Sequence, residues 1–105
     1  MKVDFKLDKE AKIKTFVIEG ELDVHNVKNL KSDVSESLED EEGWTFILDM
    51  GGVTYLDSSG LGMLVYIKKE ITSQKGVLKL LNIQPQVLNV FKLTRLDEFF
   101  DLTAK

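Results

Sequence analysis

The sequence contains no cysteine and one histidine, His25. Those absences exclude a disulfide framework, a thiol nucleophile and a thiolate-held metal, and a lone imidazole is too little for a zinc or iron site. Arginine is confined to Arg95, and the lysines are scattered through a chain of net charge -4. No basic stripe is available to follow a nucleic-acid backbone, so nucleic acid is not expected as a partner. Long apolar runs are missing as well: none approaches the ~20 residues of a membrane span. The opening "MKVDFKLDKE" lacks the apolar centre of a signal peptide. Direct membrane insertion is therefore not expected, and the cytoplasm is the expected compartment.

At 105 residues the chain suits one domain, 1–105, with one core. No repeat, linker or low-complexity segment divides it. "VDFKL" places Val3, Phe5 and Leu7 on one face, and "IKTFVIEGEL" resumes after a polar turn, which predicts an antiparallel hairpin near one sheet edge. From Asn26 to Asp40, Val27, Leu30, Val34 and Leu38 recur at helical spacing. "WTFILDM" is nearly continuous apolar, predicting a central strand covered on both faces. Gly51 and Gly52 read as turn residues. A helix over about Ser59 to Thr72 follows, then a strand in "VLKLLNI" and a helix in "QPQVLNVFKL" with Pro85 in its first turn. Thr94 with Asp97 resembles a capping box for a last short helix carrying Leu96, Phe99 and Phe100. The predicted fold is α/β: a mixed β-sheet of about four to five strands flanked by about four helices.

The densest polar chemistry is "YLDSSGLGML", Tyr55 to Leu64, at a strand-to-helix junction. Asp57 or Ser58 there satisfies the orphan N–H groups of a first helical turn. Capping alone does not require Asp57, Ser58 and Ser59 followed by Gly60 and Gly62, because each helical glycine costs about 1 kcal/mol relative to alanine. Close approach of another backbone would justify one. Projected at 100° per residue, Gly60, Leu64, Ile67 and Ile71 form the core face, while Ser58, Gly62, Val65 and Lys69 form an outward stripe. That stripe offers a hydroxyl, a gap and an exposed valine before any charge. A helix N-terminus also tolerates a phosphate, so modification of Ser58 need not unfold the chain.

Three catalytic or nucleotide readings fail on the residues present. "SSGLG" has no P-loop lysine and no third glycine of a dinucleotide fingerprint. A Ser58 nucleophile would need His25 as base, and no G-x-S-x-G elbow presents it. His25, next to Asn26, reads as a surface or helix-start residue, and no cofactor is expected.

"GELDVHN" at Gly20 to Asn26 and "ILDMGGVTYLDSSGLGML" at Ile47 to Leu64 resemble the STAS-domain anti-sigma factor antagonists of bacteria. The resemblance extends through "GVLKLLNIQPQVLNVFKLTRLDEFFDL" at the C-terminal end. It implies a partner that is both an anti-sigma factor and a serine kinase using ATP and magnesium, with a serine phosphatase resetting the switch. It implies phosphorylation at Ser58, and no catalysis by this chain. A partner surface then gathers Glu21, Asp23, Asp57, Ser58, Ser59, Gly60, Leu61, Gly62, Val65 and Lys69. Asp23 reads equally as a cap of the first helix, and Asp57 as a cap, a recognition residue or both. The alternative within the resemblance is a STAS subunit of another assembly, a stress-signalling complex or a transporter, without a phosphoswitch.

Overall fold

A computed structural model describes residues 1–38 and 42–102. Alternating apolar and polar residues put the first two segments into extended backbone. β1 (Lys2–Asp8) and β2 (Ile13–Leu22) pair antiparallel, with Val3 opposite Ile18 and Phe5 opposite Phe16. Helix and strand then alternate as α1 (Val27–Ser37), β3 (Thr45–Leu56), α2 (Ser58–Ser73), β4 (Val77–Leu81) and α3 (Pro85–Leu93). β3 runs parallel to both its neighbours, in the sheet order β1-β2-β3-β4. The mixed sheet and its α/β class agree with expectation, as four strands and three helices among the described residues. Glu39 and Asp40, expected at the end of the first helix, lie outside those residues.

The core sits on one face of the sheet. Phe16, Ile18, Phe46, Leu48 and Met50 are buried, and α1 adds Leu30 and Val34, α2 adds Leu64, Ile67 and Ile71, and α3 adds Val87 and Phe91. Each such side chain contributes roughly 1.5–3 kcal/mol when fully buried. The alternate residues Thr45, Ile47 and Asp49 are only half-buried, so β3 is not covered equally on both faces as its composition suggests. Ile47 supplies the apolar residue that makes the run look continuous, and Asp49 interrupts that side.

Gly51 and Gly52, expected in a turn, lie inside β3. The parallel register slips between Val17 and Glu19, bringing β2 close beside Gly52. A Cβ on Gly52 would stand 2.7 Å from Glu19 Cγ and 3.0 Å from the Ile18 carbonyl oxygen. The glycine therefore serves a close strand approach. Past the pair Asp49 and Leu81, β3 has no further partner in β4. Side chains replace the ladder there: Asn82 Nδ2 donates to Asp49 Oδ1 at 3.1 Å, and Gln84 Nε2 donates to the Gly51 carbonyl at 2.7 Å.

The expected last helix is instead a set of turns, closed by Phe100 N–H donating to Leu96 O at 3.1 Å and Leu102 N–H donating to Asp97 O at 2.7 Å. Thr94 does not start it. Its hydroxyl reaches back to the carbonyls of Val90 (2.8 Å) and Phe91 (3.1 Å), terminating α3. Phe100 still enters the core, edge-on to Phe91 with ring centroids 5.3 Å apart.

Candidate functional site

The parallel strands β2 and β3 end in register, Leu22 beside Leu56, and the chain turns at once into α2. Asp57 makes that turn. Its N–H donates to the Leu22 carbonyl at 3.2 Å, and its Oδ1 accepts from Gly60 N–H at 3.0 Å. Asp57 is thus the N-cap of α2, held in extended backbone. This geometry places Ser58 as the first helical residue, with its side chain exposed, and Ser59 half-buried behind it.

The two glycines of the motif have opposite surroundings. Gly60 is buried, and a Cβ there would overlap the Leu22 carbonyl oxygen and stand 2.7 Å from Leu56 Cδ1. It is the close backbone approach that the sequence calls for. Gly62 is exposed, with nothing within 4 Å of where a Cβ would be. Its absent side chain fulfils no packing need within the chain.

Among the outward stripe, Ser58, Gly62 and Lys69 are exposed, and Val65 is half-buried against the core. Gly60 and Leu61 do not join them. Leu61 is 7% exposed and belongs to the core, so these two members of the predicted partner surface support it from below. The stripe runs toward an apolar hollow of about 400 Å³ between α2 and Phe99, lined by Lys68, Lys69, Thr72 and Ser73. Lys68 Nζ lies 5.2 Å from the Phe99 ring centre, and holds one wall of that hollow.

Glu21 and Asp23 come from the end of β2 and the turn after it, the same sheet end as Asp57. Glu21 is exposed, and its carbonyl accepts from Asn26 Nδ2 at 2.9 Å. Asp23 Oδ1 accepts from the N–H groups of His25 (3.0 Å) and Asn26 (3.2 Å), a local turn that leads into α1. The residue at the N-cap itself is Asn26, whose side chain makes no capping bond. Asp23 therefore orders the loop before the helix.

Two residues at this sheet end escape sequence reasoning. Val24 is 61% exposed and Tyr55 49% exposed, each adjacent to a site residue. Val24 carries a weak signal, as an apolar residue in a polar turn outside the helical period. Tyr55 carries none, because a β3 that ends at Met50 leaves it in an undefined loop.

The arrangement presents an exposed serine at a helix N-terminus, at the same end of the sheet as Glu21, Asp23 and Asp57 and as the exposed Val24 and Tyr55. Among the described residues no group of three or more His, Asp or Glu side chains is placed to hold a metal ion. No described helix is long and apolar enough to cross a membrane.

Comparison with known proteins places these features in a wider set. The sequence profile of the STAS domain matches residues 4–105. The anti-sigma-B factor antagonist of Bacillus subtilis strain 168 is 33% identical over 88 residues, covering 84% of this chain and 79% of that protein. Among solved structures, a putative anti-sigma factor antagonist from Thermotoga maritima superposes with a TM-score of 0.81 at 27% identity, covering 91% of this chain and 80% of that one. The unphosphorylated form of the anti-sigma factor antagonist SpoIIAA gives 0.79 at 25% identity, covering 92% of this chain and 84% of its own.

Proposed function

The chain belongs to the STAS domain family, and from that membership we propose that it is an anti-sigma factor antagonist, a cytoplasmic binding protein that performs no catalysis of its own. The observation that carries this reading is the exposed hydroxyl of Ser58 at the first position of α2, with the helix surface left open one turn on at Gly62. In the unphosphorylated form this surface binds an anti-sigma factor that is also a serine kinase, and the sigma factor is released. Glu21, Asp23, Asp57, Ser58, Ser59, Gly62, Val65 and Lys69 contribute to the contact, joined by Val24 and Tyr55.

The kinase transfers the γ-phosphoryl of magnesium-bound ATP to Ser58 Oγ, takes the serine proton on its own base and releases ADP. The product carries about -1.5 to -2 charge units beside Glu21, Asp23 and Asp57, in an interface fitted to a neutral hydroxyl. Repulsion and desolvation oppose rebinding. A penalty of about 4 kcal/mol corresponds to roughly a thousandfold loss of affinity. A serine phosphatase resets the switch. The N-terminal end of α2 accommodates the phosphate without rebuilding the fold.

The test combines mapping and binding. Wild type and Ser58→Ala are incubated with host extract and Mg-ATP, and intact mass and site mapping follow. One phosphate at Ser58, absent from the variant, is the expected result. The affinity of Ser58→Ala for the anti-sigma factor should equal that of the unmodified wild type, and Ser58→Asp should bind poorly. Equal affinities of the two variants, or phosphate placed elsewhere, overturn the switch and favour a STAS subunit of another assembly.

A further inference from the structure

β1 is an edge strand: it pairs with β2 on one side, and on its other side no strand among the described residues pairs with its main chain. Its sequence, KVDFKLD, is antisymmetric in charge about Phe5, with opposite signs at equal distances from it. Lys2 and Asp8 lie three residues from that centre, Asp4 and Lys6 one residue from it, and Val3 and Leu7 two. All four charged side chains are exposed on the face away from the core, while Val3, Phe5 and Leu7 share the core face with Phe16 and Ile18. Phe5 and Leu7 are 49% and 46% exposed, unusual for residues on that face.

The geometry points to a second copy of this chain as the occupant of this edge. The two β1 strands pair antiparallel about a two-fold axis through Phe5 and join the sheets of both copies. In that register Lys2 faces Asp8 of the other copy, Asp4 faces Lys6, Val3 faces Leu7, and Phe5 faces its own equivalent. By symmetry this gives four opposite-charge cross-strand pairs on one face and a continuous apolar row on the other. Asp8 Oδ1 accepts from Ala11 N–H at 3.0 Å, which leaves its second carboxylate oxygen for Lys2.

Other registers are disfavoured by the same residues. A slip of one residue sets the apolar row of one copy against the charged row of the other. A slip of two sets Asp4 against Asp4, or Lys6 against Lys6. The inner face has room for the added side chains: a groove of about 350 Å³ lies between β1 and α1, lined by Val3, Phe5 and Phe16 from the sheet and by Asp33, Glu36 and Ser37 from the helix. Lysine usually protects an edge strand from pairing, but lysines alternating with aspartates at this spacing attract an antiparallel copy of themselves.

Charge reversal with rescue tests the pairing. Sedimentation equilibrium is run over roughly 10 μM to 1 mM, the range that brackets a weak edge-to-edge contact. Asp4→Lys and Lys6→Asp each turn two attractive pairs into repulsive ones, and each should weaken dimerisation roughly tenfold to a hundredfold. The double swap Asp4→Lys with Lys6→Asp restores complementarity and should recover the wild-type constant. Because the chain has no cysteine, Phe5→Cys should form a disulfide-linked dimer on mild oxidation, while Val3→Cys and Leu7→Cys alone should not. Circular dichroism confirms that each variant is folded. A wild type that is monomeric throughout the range, or a dimer indifferent to both charge reversals, overturns the proposal.

Discussion

The main-chain oxygen of Leu22 occupies the space that a side chain on Gly60 would need. The same oxygen accepts the N–H of Asp57 at 3.2 Å, so the end of β2 fixes the start of α2 at two successive points. The exposed serine between them is held by that contact. Its position follows from backbone packing, with no side chain of its own involved.

Gly60→Ala should destabilise the fold by about 1–3 kcal/mol, because backbone on one side and Leu56 on the other leave the methyl no room. Gly62→Ala should have the opposite sign, a gain of roughly 0.5–1 kcal/mol, since its Cβ meets nothing and alanine is the better helix former. Urea unfolding of the two variants side by side measures both. Equal effects would mean that the two glycines share an environment.

Asp57→Ala removes the one side-chain cap of α2 and should cost about 0.5–2 kcal/mol. Asp57→Asn keeps an acceptor oxygen and should recover most of that loss in thermal unfolding. If Asp57 also meets the partner through its charge, Asp57→Asn will bind the anti-sigma factor more weakly than wild type at equal stability. Separating the two readouts divides capping from recognition.

Asp49→Ala should speed hydrogen exchange at the Gly51 amide, because Asp49 Oδ1 accepts from both Gly51 N–H and Asn82 Nδ2, each at 3.1 Å. Gly51 and Asn82 are exposed and Asp49 is half-buried, so the loss of global stability should stay near 0.5–1.5 kcal/mol. Amides of the β2–β3 ladder between Phe16 and Leu48 should be unaffected.

Phosphorylation of Ser58 should leave the backbone in place. Amide chemical-shift changes should cluster around the first turn of α2 and the end of β2, without spreading through β4 and α3. The second pKa of phosphoserine lies near 6. Lowering the pH through that value reduces the phosphate from about -2 toward -1, so the phosphorylated form should regain part of its affinity between pH 7 and pH 5. A pH-independent deficit would place the effect in shape rather than charge.

Much of the fold is legible from periodicity alone. The hairpin, the amphipathic first helix and the two faces of α2 follow from spacing, since each depends on neighbours within a few residues along the chain. What was not legible depends on partners far away in sequence. Gly51 and Gly52 resemble a turn because glycine pairs commonly make one, and only the approach of Ile18 and Glu19 reveals them as strand. Thr94 and Asp97 have the spacing of a capping box, but the hydroxyl finds the carbonyls of Val90 and Phe91 first. Within the candidate site, the motif marks the strand-to-helix junction at which Ser58 stands exposed. It does not distinguish the glycine that packs from the glycine that is open, nor bring Val24 and Tyr55 to the same sheet end.

Gly62 gives the isolated domain nothing. It relieves no clash, adopts no conformation closed to other residues and raises the entropy lost when α2 forms. A lineage selected only for a sturdy fold would replace it with alanine in a single step and be better for it. What the glycine does provide is bare backbone on the surface of α2, one turn beyond Ser58. If a partner packs against that backbone, alanine at position 62 strengthens the fold and weakens the contact at once, so stability and binding pull this one position in opposite directions.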